Sequence, residues 1–233
     1  MTSYARFIRD WGRFKSAGGI ARIGDFWPCL FDRTSKSGID THYFYQSLWT
    51  FKKILDAKTP DHIDIGSQVG LVGLLTAITR VTFLDIRPLA IEIPNYVGLA
   101  ASIESLPFQD GAVSSLSSLH VIEHIGLGRY GDPIDPNGSI KAAREIVRVL
   151  APGGRAYISV PIGRSRVQFN GQRVFSVADA LALFTGLDVI EMAMVDASGQ
   201  FHDDVKPESA DISEVGQGSD FGLGLFVFEK AAR

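Results

Sequence analysis

A single cysteine, Cys29, stands in the 233 residues, so the chain has no internal disulfide framework and no multi-cysteine metal site. That usage fits a reducing cytoplasm, the expected compartment, with association to a membrane surface as a further expectation. No apolar run reaches about 18 residues, the length that a spanning helix needs. The first residues lack an apolar signal core, and the N-terminus reads as that of a mature protein. Neither sign of charge dominates: charged residues are 21% and the net charge is −3. Nucleic-acid binders are more often strongly basic, so nucleic acid is not an expected partner. No internal repeat is visible. Apolar residues, by contrast, make up 45%, enough for a sizeable core in one large domain or a domain with an appendage.

The pattern changes near residue 60. Residues 1–60 read as an N-terminal helical cap or appendage and 61–233 as the main domain. Tyr4, Phe7, Ile8, Trp11 and Phe14 recur at helical spacing, with Arg6, Arg9, Arg13 and Lys15 among them. Such a helix either docks on the domain by its aromatic face or lies on an anionic membrane, so residues 4–15 are a candidate peripheral membrane contact. A second helix is predicted over 40–55, with Asp40 or Thr41 as N-cap. From there strands and helices alternate. Strands are predicted at His62–Ile65, Val81–Leu84, Ala112–Leu119, Ala156–Val160, Leu187–Val195 and Phe221–Phe228. Helices are predicted at Leu71–Ile78, at Ser139–Leu150 with P-G-G (152–154) as its stop, and from Ser176 to Phe184 with Asp179 as capping-box partner. On the helix from Ser139, residues Ile140, Ala143, Val147 and Leu150 form the expected buried face. Pro88–Pro94 reads as an irregular connection and 196–219 as a polar, acidic loop. This alternation argues for an α/β fold with a mostly parallel sheet covered on both faces. In such sheets ligands sit at the carboxyl ends of the strands.

The first strand runs into D-I-G-S-Q-V-G, Asp64 to Gly70. Gly66 and Gly70 permit a tight turn and close approach of a ligand to the backbone, and the following amides favour an anionic group. The second strand ends in Asp85, about 20 residues beyond the turn, where an acid can accept hydrogen bonds from ribose hydroxyls. The spacing is G-x-x-x-G-x-x-G (Gly66, Gly70, Gly73), not the dinucleotide G-x-G-x-x-G. A nicotinamide-dependent oxidoreductase is therefore an alternative rather than the leading reading.

I-D-I-G-S-Q-V-G, E-S-L-P-F-Q-D-G-A-V (104–113), V-I-E-H (121–124) and A-R-E-I-V-R-V-L-A-P-G-G (143–154) resemble, in order, the motifs of class I methyltransferases that use S-adenosylmethionine. H-Y-F-Y-Q, H-I-D-I-G-S, D-I-R-P, L-H-V-I-E-H-I-G-L-G-R-Y-G-D-P-I-D-P and R-V-F-S resemble the family called domain of unknown function 268, over nearly the whole chain. The resemblance implies a Rossmann-like, mostly parallel seven-stranded sheet with helices on both faces and an N-terminal helical segment. It implies S-adenosyl-L-methionine as cofactor and a sugar or glycan of bacterial surface-polysaccharide synthesis as acceptor. Asp64 matches the position that holds the cofactor's amino-acid end and Asp85 the ribose position. Gly66, Ser67, Gln68, Gly70, Ile86, Ser102 and Ile103 complete the expected cofactor site. Two residues depart from the pattern: Gln68 replaces the middle glycine, and Ser102 replaces the acid that commonly contacts adenine, leaving the Ile103 amide for that role. These departures favour a second alternative, a non-catalytic module of the same fold.

His120, Glu123 and His124 spell H-x-x-E-H. On a helix this suggests zinc, but the glycine-broken I-G-L-G-R-Y-G that follows and the lack of a firm third ligand argue against a metal here; His202 or Asp203 would have to reach over. Methyl transfer needs only alignment and removal of one proton, which a histidine accepts near neutral pH. His124 is the first candidate base and His120 the second, with Glu123 orienting a ring or acting as base. Arg129, Tyr130 and Asp132, in a loop with Gly126, Gly128 and Gly131, would suit an acidic or phosphorylated sugar, unless Arg129 and Asp132 merely pair with each other. Asn170, Gln172, Arg173, His42, Tyr43 and Gln46 are further substrate-binding candidates.

Overall fold

The structure, a computed structural model, describes residues 3–35, 37–209 and 221–232. The chain divides into two units between Ile39 and Asp40. In the smaller unit α1 (Ser3–Ser16) turns Phe7 and Trp11 edge-on to Phe26, with ring centroids 5.0 and 5.1 Å apart. The Trp11 Nε1–H donates to the Ala21 carbonyl at 3.1 Å, and Arg6 donates to the Leu30 carbonyl at 3.0 Å. Tyr4, Ile8, Phe14, Ile20, Ile23, Trp27 and Phe31 are exposed. Among the described residues no helix is long and apolar enough to cross a membrane.

The larger unit begins with α2 (Thr41–Ala57), capped by Asp40, whose side chain accepts from the Tyr43 N–H. It therefore includes a helix that the sequence pattern grouped with the leading segment. The remaining elements are β1 (Asp61–Ile65), α3 (Val69–Leu75), β2 (Arg80–Asp85), β3 (Tyr96–Ala100), β4 (Val113–Leu119), α4 (Gly138–Val149), β5 (Leu150–Ile162), β6 (Arg166–Gln168), β7 (Gln172–Val174), α5 (Val177–Leu183), β8 (Asp188–Val195), β9 (Phe201–His202) and β10 (Gly222–Glu229). One sheet runs β3-β2-β1-β4-β5-β10-β8-β9, and β6 and β7 form a separate hairpin. The first five strands pair in parallel, and β10 runs antiparallel between β5 and β8. This is the expected Rossmann-like α/β sheet, with eight strands rather than seven; the eighth is the two-residue edge strand β9.

Both sheet faces are buried. Trp49, Ile54, Leu71 and Leu75 cover one through α2 and α3; Ile146 and Val149 of α4 and Phe184, just past the end of α5, pack on the other. Two local expectations are corrected. Ile140 is 39% exposed, and the buried face of α4 is Ser139, Ala142, Ala143, Ile146 and Val149. The Ser139 hydroxyl donates to the Ile122 carbonyl at 2.6 Å, which turns that stripe inward. P-G-G does not follow the helix as a stop but opens β5, where Gly153 (φ +72) and Gly154 exchange backbone hydrogen bonds with Lys230. The capping box of α5 is half made: the Ser176 hydroxyl accepts from the Asp179 N–H at 3.0 Å, but the Asp179 carboxylate takes the Ser165 hydroxyl instead. Of the predicted acidic loop 196–219, residues 210–219 lie outside the described residues.

Candidate functional site

At the end of β1 the chain turns at Gly66, where φ is +64. A side chain here would be strained, and its Cβ would stand 3.4 Å from Asp85 Oδ2 and from the Val121 methyls. The turn and the strand-end acid are thus side by side. Asp85 Oδ1 accepts from the Arg87 N–H at 2.7 Å. Gln68 caps α3 with φ −60, so its position makes no demand for glycine, and Gly70 borders open space.

Asp64 is elsewhere than expected: it is fully buried and lines no part of the cleft. It accepts from the Ser67 N–H at 3.0 Å and from the Ser117 hydroxyl. Ser117 and Ser115 in turn hold the two ring nitrogens of buried His62, each at 2.8 Å. The Ser67 hydroxyl accepts from the Leu119 N–H at 3.2 Å. Asp64 therefore fixes the turn from below rather than meeting a ligand. Burial pushes its carboxyl up to about 6 and the His62 imidazole down to about 3.

Beyond β4 the backbone passes through His120 with φ +55. That left-handed conformation costs a non-glycine residue about 1–2 kcal/mol. The His120 N–H donates to the Ser159 carbonyl and hydroxyl, both at 3.1 Å. A single 3-10 turn, Ile122–His124, then sets Glu123 between the two histidines. Its Oε1 accepts from His120 Nδ1 at 2.6 Å and lies 3.7 Å from His124 Nε2. Glu123 is completely buried. The Nδ1–H of His124 donates to the Gly171 carbonyl at 2.8 Å. Burial lowers the His124 pKa although Glu123 opposes this. Among the described residues no group of three or more His, Cys, Asp or Glu is placed to hold a metal ion. His202 is engaged by Asp196 and Asp203 by Trp49.

The glycine loop after His124 is folded from within, though not by an Arg129–Asp132 pair. Asp132 accepts from the N–H groups of Gly126, Gly128 and Tyr130. Partial burial works against its charge, but these donors outweigh burial and hold its pKa below the ordinary value. Arg129 donates to the Gly171 carbonyl and covers the Tyr130 ring, which meets Arg87 at 5.5 Å. Arg173 is not positioned to bind substrate in the cleft: it is 7% exposed and donates to the carbonyls of Ile125, Asp135 and Pro136 and to Ser139. Asn170 occupies the turn of the β6–β7 hairpin with φ +61, and Gln172 bonds Gln168.

The cleft has two adjoining parts that share Gly66, Asp85, Arg87, His120 and Tyr130. One, of about 230 Å³, is walled by Ile86, Ser102, Ile103, His124 and Asp132. The other, of about 510 Å³, is walled by Ser67, Gln68 and Tyr43. The Ser102 hydroxyl accepts from the Glu104 N–H at 3.2 Å. From α2, His42 stacks on the His120 ring at 5.9 Å, Tyr43 meets it at 5.4 Å, and buried Gln46 accepts from the Ser159 hydroxyl at 2.7 Å. Arg87 and Ser159 were not singled out from sequence. Arg87 lies in the quoted D-I-R-P, and Ser159 is the one serine in the run Y-I-S-V-P; both carried a readable signal.

The family model described as "Caenorhabditis protein of unknown function, DUF268" matches residues 106–212, a span that includes the H-V-I-E-H-I-G-L-G-R-Y-G-D-P block. No curated protein matches the chain. Among solved structures, the cyclase SpnF superposes with a TM-score of 0.61 at 14% identity, covering 94% of this chain and 92% of its own. The N-methyltransferase NodS from Bradyrhizobium japonicum, in complex with S-adenosylhomocysteine, gives 0.54 at 16% identity over 87% of this chain and 91% of its own. A SAM-dependent methyltransferase from Methanosarcina mazei gives 0.51 at 14% identity over 76% and 94%. The fold is that of class I methyltransferases, as the sequence motifs implied.

Proposed function

We propose that the chain is a methyltransferase that uses S-adenosyl-L-methionine and methylates an oxygen of a sugar or glycan. The observation that carries the cofactor is the placement of the Asp85 carboxylate against the Gly66 turn, at the carboxyl ends of β1 and β2. The residues present fit the group. Asp85 Oδ2 faces the side of Gly66 that has no side chain, ready for ribose hydroxyls. Ile86 and buried Ile103 offer apolar walls for adenine. Ser67 and Gln68, in the adjoining part, are placed for the amino-acid end. When bound, the cofactor supplies a methyl group on a positively charged sulfur, a good leaving group. The chain's own part is to align an acceptor oxygen, exclude water and accept a proton.

The test is calorimetry with S-adenosylhomocysteine: saturable binding is expected, and no binding of it or of S-adenosylmethionine ends the proposal. A non-catalytic module, which Ser102 in place of the acid that commonly contacts adenine favours, predicts that binding without any gain of one methyl mass on a glycan acceptor. We further propose a role in surface-polysaccharide synthesis, a cytoplasmic location, and peripheral contact of residues 4–15 with an anionic membrane. The smaller unit supports the last point: it carries seven Lys and Arg against three Asp, net +4, which leaves −7 on the rest.

A further inference from the structure

Two arginines converge on one ring at the mouth of the cleft. The Arg87 guanidinium lies 5.5 Å from the centre of the Tyr130 ring, and that of Arg129 lies 5.1 Å from it. They come from different segments, the turn after β2 and the glycine loop after His124. The ring itself stands edge-on to His124, with centroids 5.8 Å apart. Stacking on an aromatic face holds a guanidinium in place and leaves its N–H fork free to bind. Arg129 uses only Nη1, on the Gly171 carbonyl and beside His124 Nδ1. Among the described residues no carboxylate pairs with either guanidinium. Two phenols adjoin them: Tyr43 and Tyr130 are half-exposed, and neither hydroxyl has a hydrogen-bond partner among the described residues. Tyr43 remains a protonated donor, because burial and then the charge of Glu123 raise its pKa. Acids gather in the smaller part of the cleft, where Asp85, Glu104 and Asp132 stand; the larger part meets Asp85 alone. The rim of the larger part, with Tyr43, Arg87 and Tyr130, is therefore a face of donors. It lies on a unit whose net charge is −7.

We propose that Arg87, Arg129, Tyr43 and Tyr130 bind a phosphate group on the acceptor, so that the sugar to be methylated is a phosphorylated one. The identity of the substrate rests on the methyltransferase reading; the anion site does not. A neutral sugar leaves both guanidinium charges unmatched. A carboxylate has two oxygens and is satisfied by one guanidinium fork. A phosphate monoester has three terminal oxygens, enough for both forks and a phenol. The three acids of the smaller part repel such a group, which directs it to the larger part. There it holds the sugar by a point away from the reacting hydroxyl, and that binding orients the hydroxyl for transfer. A sugar 1-phosphate and a nucleoside diphosphate sugar both present this chemistry.

The test is phosphorus NMR of the full chain with glucose 1-phosphate and with uridine diphosphate glucose, each with and without saturating S-adenosylhomocysteine. Saturable line broadening is expected for at least one of them, and the tighter of the two names the source of the phosphate. Inorganic phosphate is expected to displace it, and glucuronate to do so at least ten-fold less well. Arg87→Gln and Arg129→Gln are each expected to weaken binding at least five-fold. Arg144→Gln, which removes an exposed charge from α4, is expected to change it less than two-fold. The S-adenosylhomocysteine affinity of Arg129→Gln is expected to stay within about two-fold of wild type. Absence of saturable broadening, equal displacement by glucuronate, an equal loss in Arg144→Gln, or an equal loss of S-adenosylhomocysteine affinity in Arg129→Gln would overturn the site. If a sugar phosphate binds and S-adenosylhomocysteine does not, the methyltransferase reading fails and the anion site stands; the reverse result removes the anion site alone.

Discussion

Asp64 and Asp85 stand near the carboxyl ends of neighbouring parallel strands, yet their surroundings divide their work. Asp85 faces the cleft, whereas Asp64 is spent on Ser67 and Ser117. Asp85→Ala is expected to weaken S-adenosylhomocysteine binding about 10- to 100-fold, the worth of hydrogen bonds to a charged group, with the unfolding midpoint little changed in urea. Asp64→Ala is expected to lower stability by about 2–3 kcal/mol, since it strands buried donors. Asp64 and His62 also set opposed pH dependences. His62 has its pKa depressed to about 3 by burial, so its contribution is complete above pH 6.5 and is lost as pH falls toward 3. Asp64 has its pKa raised to about 6 by burial, so its contribution is complete below pH 4 and is lost as pH rises through 6. Between pH 6 and 4 the two oppose each other. Relative to wild type, His62→Gln should gain stability on acidification in that window and Asp64→Asn should lose it, each by up to about 1.4 kcal/mol per pH unit. Urea titrations at pH 4, 5 and 6 check the signs; parallel curves for both variants would exclude the account.

The loop 125–137 is an element in its own right, built by Asp132 inside and Arg173 beneath. Gly126 (φ +79) is indispensable to it, because a Cβ there would stand 2.0 Å from the Asp135 carbonyl oxygen. Gly126→Ala is expected to destabilise the fold by more than about 2 kcal/mol. Arg173→Met removes donors to Ile125, Asp135 and Pro136 and should speed protease cleavage within 125–137 while leaving the sheet's unfolding transition cooperative. At the other end of the chain, α1 spends Phe7 and Trp11 on Phe26, so only part of its aromatic stripe faces outward. Co-sedimentation with vesicles containing anionic lipid should be weakened about five-fold by Arg13→Gln, since a basic residue near such a surface is worth about 1 kcal/mol. Equal binding to neutral vesicles, or no binding at all, would remove the membrane role of residues 4–15.

At the scale of the whole molecule, the alternation of strand and helix and the sheet's buried middle were legible because β1, β2, β4, β5, β8 and β10 carry their own strand patterns, whereas the strand order came from the structure. β3 was missed: it is an edge strand with only Tyr96 and Leu99 partly covered, and an edge needs little apolar sequence. The β6–β7 hairpin was also missed, although Asn170-Gly171 is a turn signal; its flanks are too polar to read as strands. The sequence by itself determined the class of fold, the glycine turn and the acid after it, because each depends on local pattern and on order along the chain. Only the tertiary structure decided which carboxylate meets the cleft, that Arg173 is a brace, and how the His120 ring is held. Those outcomes depend on side-chain direction, and direction here is set by partners far away in sequence: Ser117 for Asp64, Ile125 for Arg173, and Ser159 with Gln46 beside His120.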